Sequence, residues 1–316
     1  MTGPASPPPV AHTTAHSDGI ASGIALRICA AGLFSIMTGL LKLASTHGVV
    51  APEMLFYRSL FGLPVVLAWV LMSQGLGSLK TRRPRVHLFR GALGVVSILL
   101  TFQAVTMLSL ADVTTLLFTA PIFATLLSGL ILKETVGRHR WLAVLIGFVG
   151  VAVVLKPGAG HAAPALAGVA VALVAALGQA SVTVTLRQLK DTEHVAAIVF
   201  WFFISCLVVS GLLMPFFGRW HDLSTVALMA CAGMAGGGAQ ICMTASLRAA
   251  PVAVVAPFDY LQMVGAVIFG WWLMASPPTA NTLAGAALIA ASGLYTVWRE
   301  HVRRRDRLIQ PTAAPV

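Results

Sequence analysis

The chain has 316 residues, of which 58% are hydrophobic and 10% charged, with a mean hydropathy of +0.87 and a net charge of +11. A soluble domain carries about 25% charged residues, so this chain lacks the polar groups to cover its own surface, and a water-soluble globule is excluded. The cations fall in short clusters between apolar runs. That placement predicts a lipid bilayer with an anionic inner leaflet as a partner, and no nucleic acid.

Residues 1–22 are polar and proline-rich, without Lys or Arg, and are expected to be a disordered cytoplasmic tail. A cleaved leader would need a basic start and an early apolar stretch. A membrane-spanning helix uses about 20 apolar residues. Ten such runs follow, over 23–44, 52–74, 88–109, 112–132, 140–156, 165–187, 194–214, 224–247, 252–274 and 281–298. Pro52, Pro251, Pro277 and Pro278 sit at helix starts or in turns, where a missing N–H costs little. Residues 299–316 read as a basic cytoplasmic tail. The expected class is an all-α membrane protein of ten transmembrane helices.

Lys and Arg are enriched in cytoplasmic connections. With ten spans and a cytoplasmic N-terminus, sixteen of the 21 cations fall inside and only Lys156 and Arg219 outside, while Arg27, Lys42 and Arg58 lie within spans. Both termini are therefore expected in the cytoplasm. The chain also repeats weakly. Ala111–Asp112–Val113 opens the fourth run as Ala250–Pro251–Val252 opens the ninth, 139 residues on, and Gly23 to Lys42 lines up with Gly168 to Arg187. Five runs per half predict two halves of opposite orientation, 23–157 and 165–298. Inverted repeats place a substrate site near the midplane between them.

An ionisable side chain inside a membrane needs an account. Asp259 lies seven residues beyond Val252, about 10 Å into its helix, with Pro257 favouring a kink just before it. It is expected either to serve as a substrate or proton site or to pair with Arg27. Arg58, about 9 Å from the outer end of its span, would attract an anionic group of a substrate or pair with Glu53 at the mouth, where Lys42 also falls. Polar and aromatic groups that would shape a pocket are Gln103, Trp201, Tyr260 and Gln262, with Phe56, Tyr57 and Gln240. A zwitterionic solute would suit Asp259 and Arg58 together. Asp112 is expected to cap the fourth run, Pro121 to kink it, and Glu134 to form an interfacial charge pair. Gly233, Gly236, Gly237 and Gly238 form a face for close helix contact, and Trp271 and Trp272 read as interface anchors.

Four cysteines lie in apolar runs without Cys-x-x-Cys spacing, and no histidine pair has metal-ligand spacing with a carboxylate, so no metal or cofactor is expected. There is no phosphate-binding glycine loop, which leaves a solute, proton or potential gradient as the energy source.

Phe34 to Lys42 (FSIMTGLLK) and Pro52 to Gly62 (PEMLFYRSLFG) are followed by Ala111 to Glu134, with Pro121 inside and LILKE at the end. Arg140–Trp141 and Gly147 to Pro157 (GFVGVAVVLKP) come next. In this order and spacing the chain resembles the drug/metabolite transporter superfamily, EamA-type ten-helix members, over about residues 20 to 300. The resemblance implies a secondary transporter of a small organic metabolite (amino-acid-like, nucleoside-like or vitamin-like) in a bacterial cytoplasmic membrane. Proton coupling and a homodimer are left open. Where that pattern ends the ninth span on an acidic residue, Met274–Ala275–Ser276 stands here. An enzyme would want a metal set or an activated nucleophile, a channel a filter sequence or charge ring, and neither pattern is present. A receptor or scaffold would show binding without flux.

Overall fold

Helix is the only repeating backbone structure among the described residues of a computed structural model of the chain, which cover 13–73, 75–81, 84–131, 138–154, 163–189 and 194–309. The helices are α1 (Thr13–Thr46), α2 (Ala51–Ser73), α3 (Pro84–Met107), α4 (Leu110–Leu117), α5 (Ala120–Ile131) and α6 (Arg138–Val154). They continue with α7 (Ala163–Leu189), α8 (Val195–Phe217), α9 (Leu223–Ala249), α10 (Val252–Val255), α11 (Leu261–Met274) and α12 (Ala280–Ile309). Among the described residues, six stretches are long and apolar enough to cross a bilayer: Gly19–Thr46, Ala51–Ser73, His87–Met107, Leu166–Thr183, Val195–Phe217 and Leu223–Ala249. Leu110–Ala124 and Trp141–Val154 are apolar but shorter.

Two boundaries correct the sequence reading. α1 begins at Thr13, so the later part of the expected disordered tail is helical. No proline lies between Pro9 and the end of α1 at Thr46, so none removes a donor from its backbone ladder. α12 runs to Ile309, because the basic stretch after Trp298 is rich in good helix formers and meets no proline before Pro311. Glu134 lies outside the described residues.

The expected cap on α4 is also reassigned. Ser109 caps the helix, accepting from the Asp112 amide at 3.1 Å while its hydroxyl donates to Asp112 Oδ2 at 2.6 Å. Asp112 Oδ1 accepts from the Thr282 hydroxyl at 2.6 Å and so ties the start of α4 to the start of α12. At the C-terminal end of α11, Ala275 takes a left-handed conformation (φ 48°), and its N–H and that of Ser276, the latter at 3.2 Å, both reach Gly270 O.

The helices interleave the two halves of the sequence. α1 packs along α9, α2 sits against α8 and α9, α3 against α7 and α8, and α6 against α12. One apolar cluster draws on α1, α2, α3, α8 and α9, with Leu41, Met54, Leu55, Phe102, Phe203 and Met229 at its centre. A second joins α3, α4, α6, α7, α11 and α12 around Val105, Leu116, Val154 and Ile289. Glycines set the closest approach. A Cβ at Gly237 would stand 2.8 Å from Gly62 O, and one at Gly62 2.9 Å from Gly233 O, so α2 and α9 meet backbone to backbone. Along the α1–α9 seam the sulfurs of Cys29 and Cys242, both free thiols, are 3.9 Å apart.

Candidate substrate site at paired helix breaks

Two helices are interrupted, and the interruptions touch. Pro121 has no N–H for Leu117 O, the carbonyl four residues back, and its ring crowds that carbonyl. α4 accordingly ends at Leu117, Phe118 and Thr119 make a turn, and the Thr119 hydroxyl donates to Leu116 O at 2.6 Å. Pro257 has the same effect further on. The segment Ala256–Tyr260 tightens into a 3₁₀ turn between α10 and α11. The rings of Phe118 and Tyr260 stack with centroids 4.9 Å apart, and the Tyr260 hydroxyl presses on Gly293 of α12, where a Cβ would collide.

Asp259 sits in the second break. Its carboxylate receives two bonds from Arg27 on α1, Nε to Oδ1 and Nη2 to Oδ2, both at 2.5 Å. Of the two outcomes expected for Asp259, the pair with Arg27 is therefore formed. Arg27 Nη1 is buried with no hydrogen-bond partner among the described residues, and Asp259 keeps a quarter of its side chain exposed. Gln262 is half-buried one residue into α11.

The other candidates fall elsewhere. Glu53 is fully buried and does not meet Arg58. Its oxygens accept from Val50 N–H at 3.0 Å and Arg219 N–H at 2.7 Å, and His221 Nε2 lies 3.0 Å away. The five-residue separation puts Arg58 on a different side of α2 from Glu53. Lys42 donates to Val105 O and Leu108 O, both at 2.7 Å, and so closes the end of α3 with a cation, where carbonyls are unpaired. Trp201 is partly exposed and donates to Leu79 O at 3.1 Å, which ties α8 to the short 3₁₀ turn Leu76–Leu79. The Gln103 side chain is exposed on α3. A cavity of about 290 Å³ bounded by Trp69, Val195, Ala245, Arg248 and Ala249 contains none of the candidates.

Arg58 is 1% exposed, with Nε directed at the Met37 sulfur at 3.3 Å and its guanidinium carbon 5.2 Å from the Phe203 ring centre and 5.9 Å from that of Phe202. Sequence reasoning missed its neighbour. Arg90 was counted with the basic connection before α3, yet it is 3% exposed, lies 5.2 Å from the same Phe202 ring and donates to Ile198 O at 3.3 Å. The signal was its position, six residues beyond Pro84 and inside the helix. Burying an ion costs several kcal/mol, and a desolvated cation–π contact returns about 2 kcal/mol, so the rings offset only part of the cost.

Beyond the spans, Asp222 stands at the N-cap position of α9. Hydrogen bonds from the Ser224 and Thr225 hydroxyls hold its carboxyl down at about 2.

The sequence profile of the EamA-like transporter family matches twice, over residues 21–156 and 166–298. The pseudopaline exporter CntI of Pseudomonas aeruginosa is 29% identical over 281 residues, covering 87% of this chain and 95% of that protein. The S-adenosylmethionine uptake transporter of Rickettsia bellii is 28% identical over 255 residues, covering 78% and 84%. A solved crystal structure, 20% identical, superposes with a TM-score of 0.65 over 90% of this chain and 99% of its own, which establishes the likeness of fold. The chain belongs to the EamA-like transporter family, within the drug/metabolite transporter superfamily, and is an integral membrane transporter and not an enzyme.

Proposed function

We propose that the protein is a secondary transporter that moves a small organic metabolite, amino-acid-like, nucleoside-like or vitamin-like, by alternating access across a bacterial cytoplasmic membrane. The observation that carries the reading is the meeting of two broken helices at Phe118 and Tyr260, beside the Arg27–Asp259 pair. Interrupted helices at matching places of two repeats mark the substrate site in many transporters, because freed backbone groups face the cargo there.

Ten spans with both termini cytoplasmic and two halves of opposite orientation fit this reading. The double family match supports two repeats. The contacts that join distant elements pair ends which that layout puts on one side. Lys42 with Leu108, Glu53 with His221 and Asp112 with Thr282 fall outside, whereas Trp201 with Leu79 and Arg90 with Ile198 fall inside. Asp259 would couple the cycle to protons: protonation discharges the carboxylate, frees Arg27 and loosens the 3₁₀ turn from α1. Tyr260 and Gln262 would contact the cargo. One similar protein is named an exporter and another an uptake transporter, so similarity sets neither direction nor solute.

The test compares metabolites inside and outside cells that lack, carry and overexpress the chain. One solute class should shift reciprocally across the membrane, and counterflow of that solute should separate a carrier from a channel. If no solute moves under several growth conditions, the transport reading fails. With the solute in hand, Asp259→Asn should flatten the pH dependence of transport, and an unchanged profile would remove the proton from the cycle.

A further inference from the structure

Within the described residues, charge in the helical bundle does not balance around Phe202. Arg58 from α2 and Arg90 from α3 both approach this one ring of α8. Neither has a carboxylate partner among the described residues. The acidic side chains described in the structure are each committed elsewhere: Glu53 to His221 and backbone amides, Asp112 to Ser109 and Thr282, Asp222 to Ser224 and Thr225, Asp259 to Arg27. What the two guanidiniums do hold is weak. A thioether sulfur is a poor acceptor, and the Arg90 bond to Ile198 O is long at 3.3 Å. Arg58 Nη1 and Arg90 Nε are buried with no hydrogen-bond partner among the described residues.

A guanidinium presents five donors in a fork that fits oxyanions two at a time. Two of them, nine-tenths or more buried and both within about 6 Å of one ring, have no negative group beside them among the described residues. The Phe202 ring fixes their positions by cation–π attraction without neutralising either charge. Small residues let the surroundings part: Gly236 borders Arg58, and Gly94 of α3 borders Phe202.

We propose that Arg58 and Arg90, gathered on Phe202, form the subsite for an oxyanionic group, carboxylate or phosphate, of the transported solute. This rests on the transporter reading above and refines it. Because Arg27 already satisfies Asp259, the described interior offers no free anion for a cationic group, and the cargo is net anionic instead of the zwitterion that Asp259 and Arg58 suggest from sequence.

The experiment follows thermal unfolding of the full chain in phosphatidylcholine nanodiscs, titrated with inorganic phosphate or succinate at constant ionic strength. One or both should raise the midpoint, and Arg90→Gln and Arg58→Gln should each weaken the apparent affinity at least tenfold. Arg90→Lys and Phe202→Leu, which keep the charge or the apolar volume, should fold and still weaken it about threefold against the wild type; they carry the test if a Gln variant does not fold, and unchanged affinity in both overturns the proposal. No stabilisation of the wild type by either anion, or equal stabilisation of the Gln variants, overturns the proposal. So does an Arg90-dependent effect that appears only with phosphatidylglycerol in the disc, since a lipid headgroup would then be the occupant. Loss of transport in cells with anion stabilisation intact would sink the transporter reading and leave the subsite standing.

Discussion

Arg27 and Asp259 cancel each other inside the bundle, and their worth is felt when one is taken away. Removing one member of a buried pair typically costs about 3–5 kcal/mol, whereas replacing both by apolar groups is often nearly neutral. Arg27→Met should therefore lower the unfolding midpoint in detergent sharply, and Arg27→Met with Asp259→Leu should recover much of the loss. Simple additivity of the two changes would show that the side chains do not depend on each other. Asp222 behaves differently because it is fully exposed. Its carboxyl is held at about 2 against an ordinary 3.8, so its contribution at the start of α9 is complete above about pH 4 and is lost as pH falls through about 2. The stability difference between wild type and Asp222→Asn should stay constant from pH 7 to 5 and shrink below that window. Of these residues, sequence singled out Asp259 because a carboxylate in an apolar run demands a partner, and Arg27 was a candidate for it. Glu53 was linked to the wrong residue because His221 lies 168 positions away and comes close only through the packing of α2 against α8 and α9. Arg90 was hidden by the run of cations just before it.

At the scale of single elements, helix ends and close approaches make the sharpest predictions. Ala275 holds a left-handed conformation that costs a residue with a Cβ roughly 1–2 kcal/mol. Ala275→Gly should raise the unfolding midpoint, and no rise would mean the α11 terminus relaxes without it. Glycine changes should split by environment. Gly237→Val would drive a side chain into Gly62 of α2 and cost about 1–3 kcal/mol. Gly32→Ala meets nothing within 4 Å and should leave the midpoint nearly unchanged or raise it. Elements were the most legible level, since apolar length and proline position are local properties. Pro121 and Pro257 announced the two breaks from the chain alone. That Phe118 would reach Tyr260 was not visible, because the stacking depends on how α4 lies beside α11.

For the whole molecule, the two halves are folded through each other. α1 from the first lies along α9 from the second, and each apolar cluster takes helices from both. Among the described residues neither half has an apolar cluster of its own, so expression of residues 1–157 alone should give aggregated or degraded chain, while co-expression with 158–316 should restore a membrane-inserted, detergent-extractable complex. Recovery of the first half by itself as a monodisperse species would contradict this. The all-helical class followed from composition, whereas the interleaving is a pattern of long-range contacts that periodicity does not encode.

The thiols of Cys29 and Cys242 extend that topology to covalent chemistry. Mild oxidation would tie position 29 to position 242 and enclose most of the chain in one ring. A protease nick at any single connection between them would then leave the two fragments joined, migrating as one band until a reductant is added. The α1–α9 seam would become a clasp whose closure is read directly on a gel.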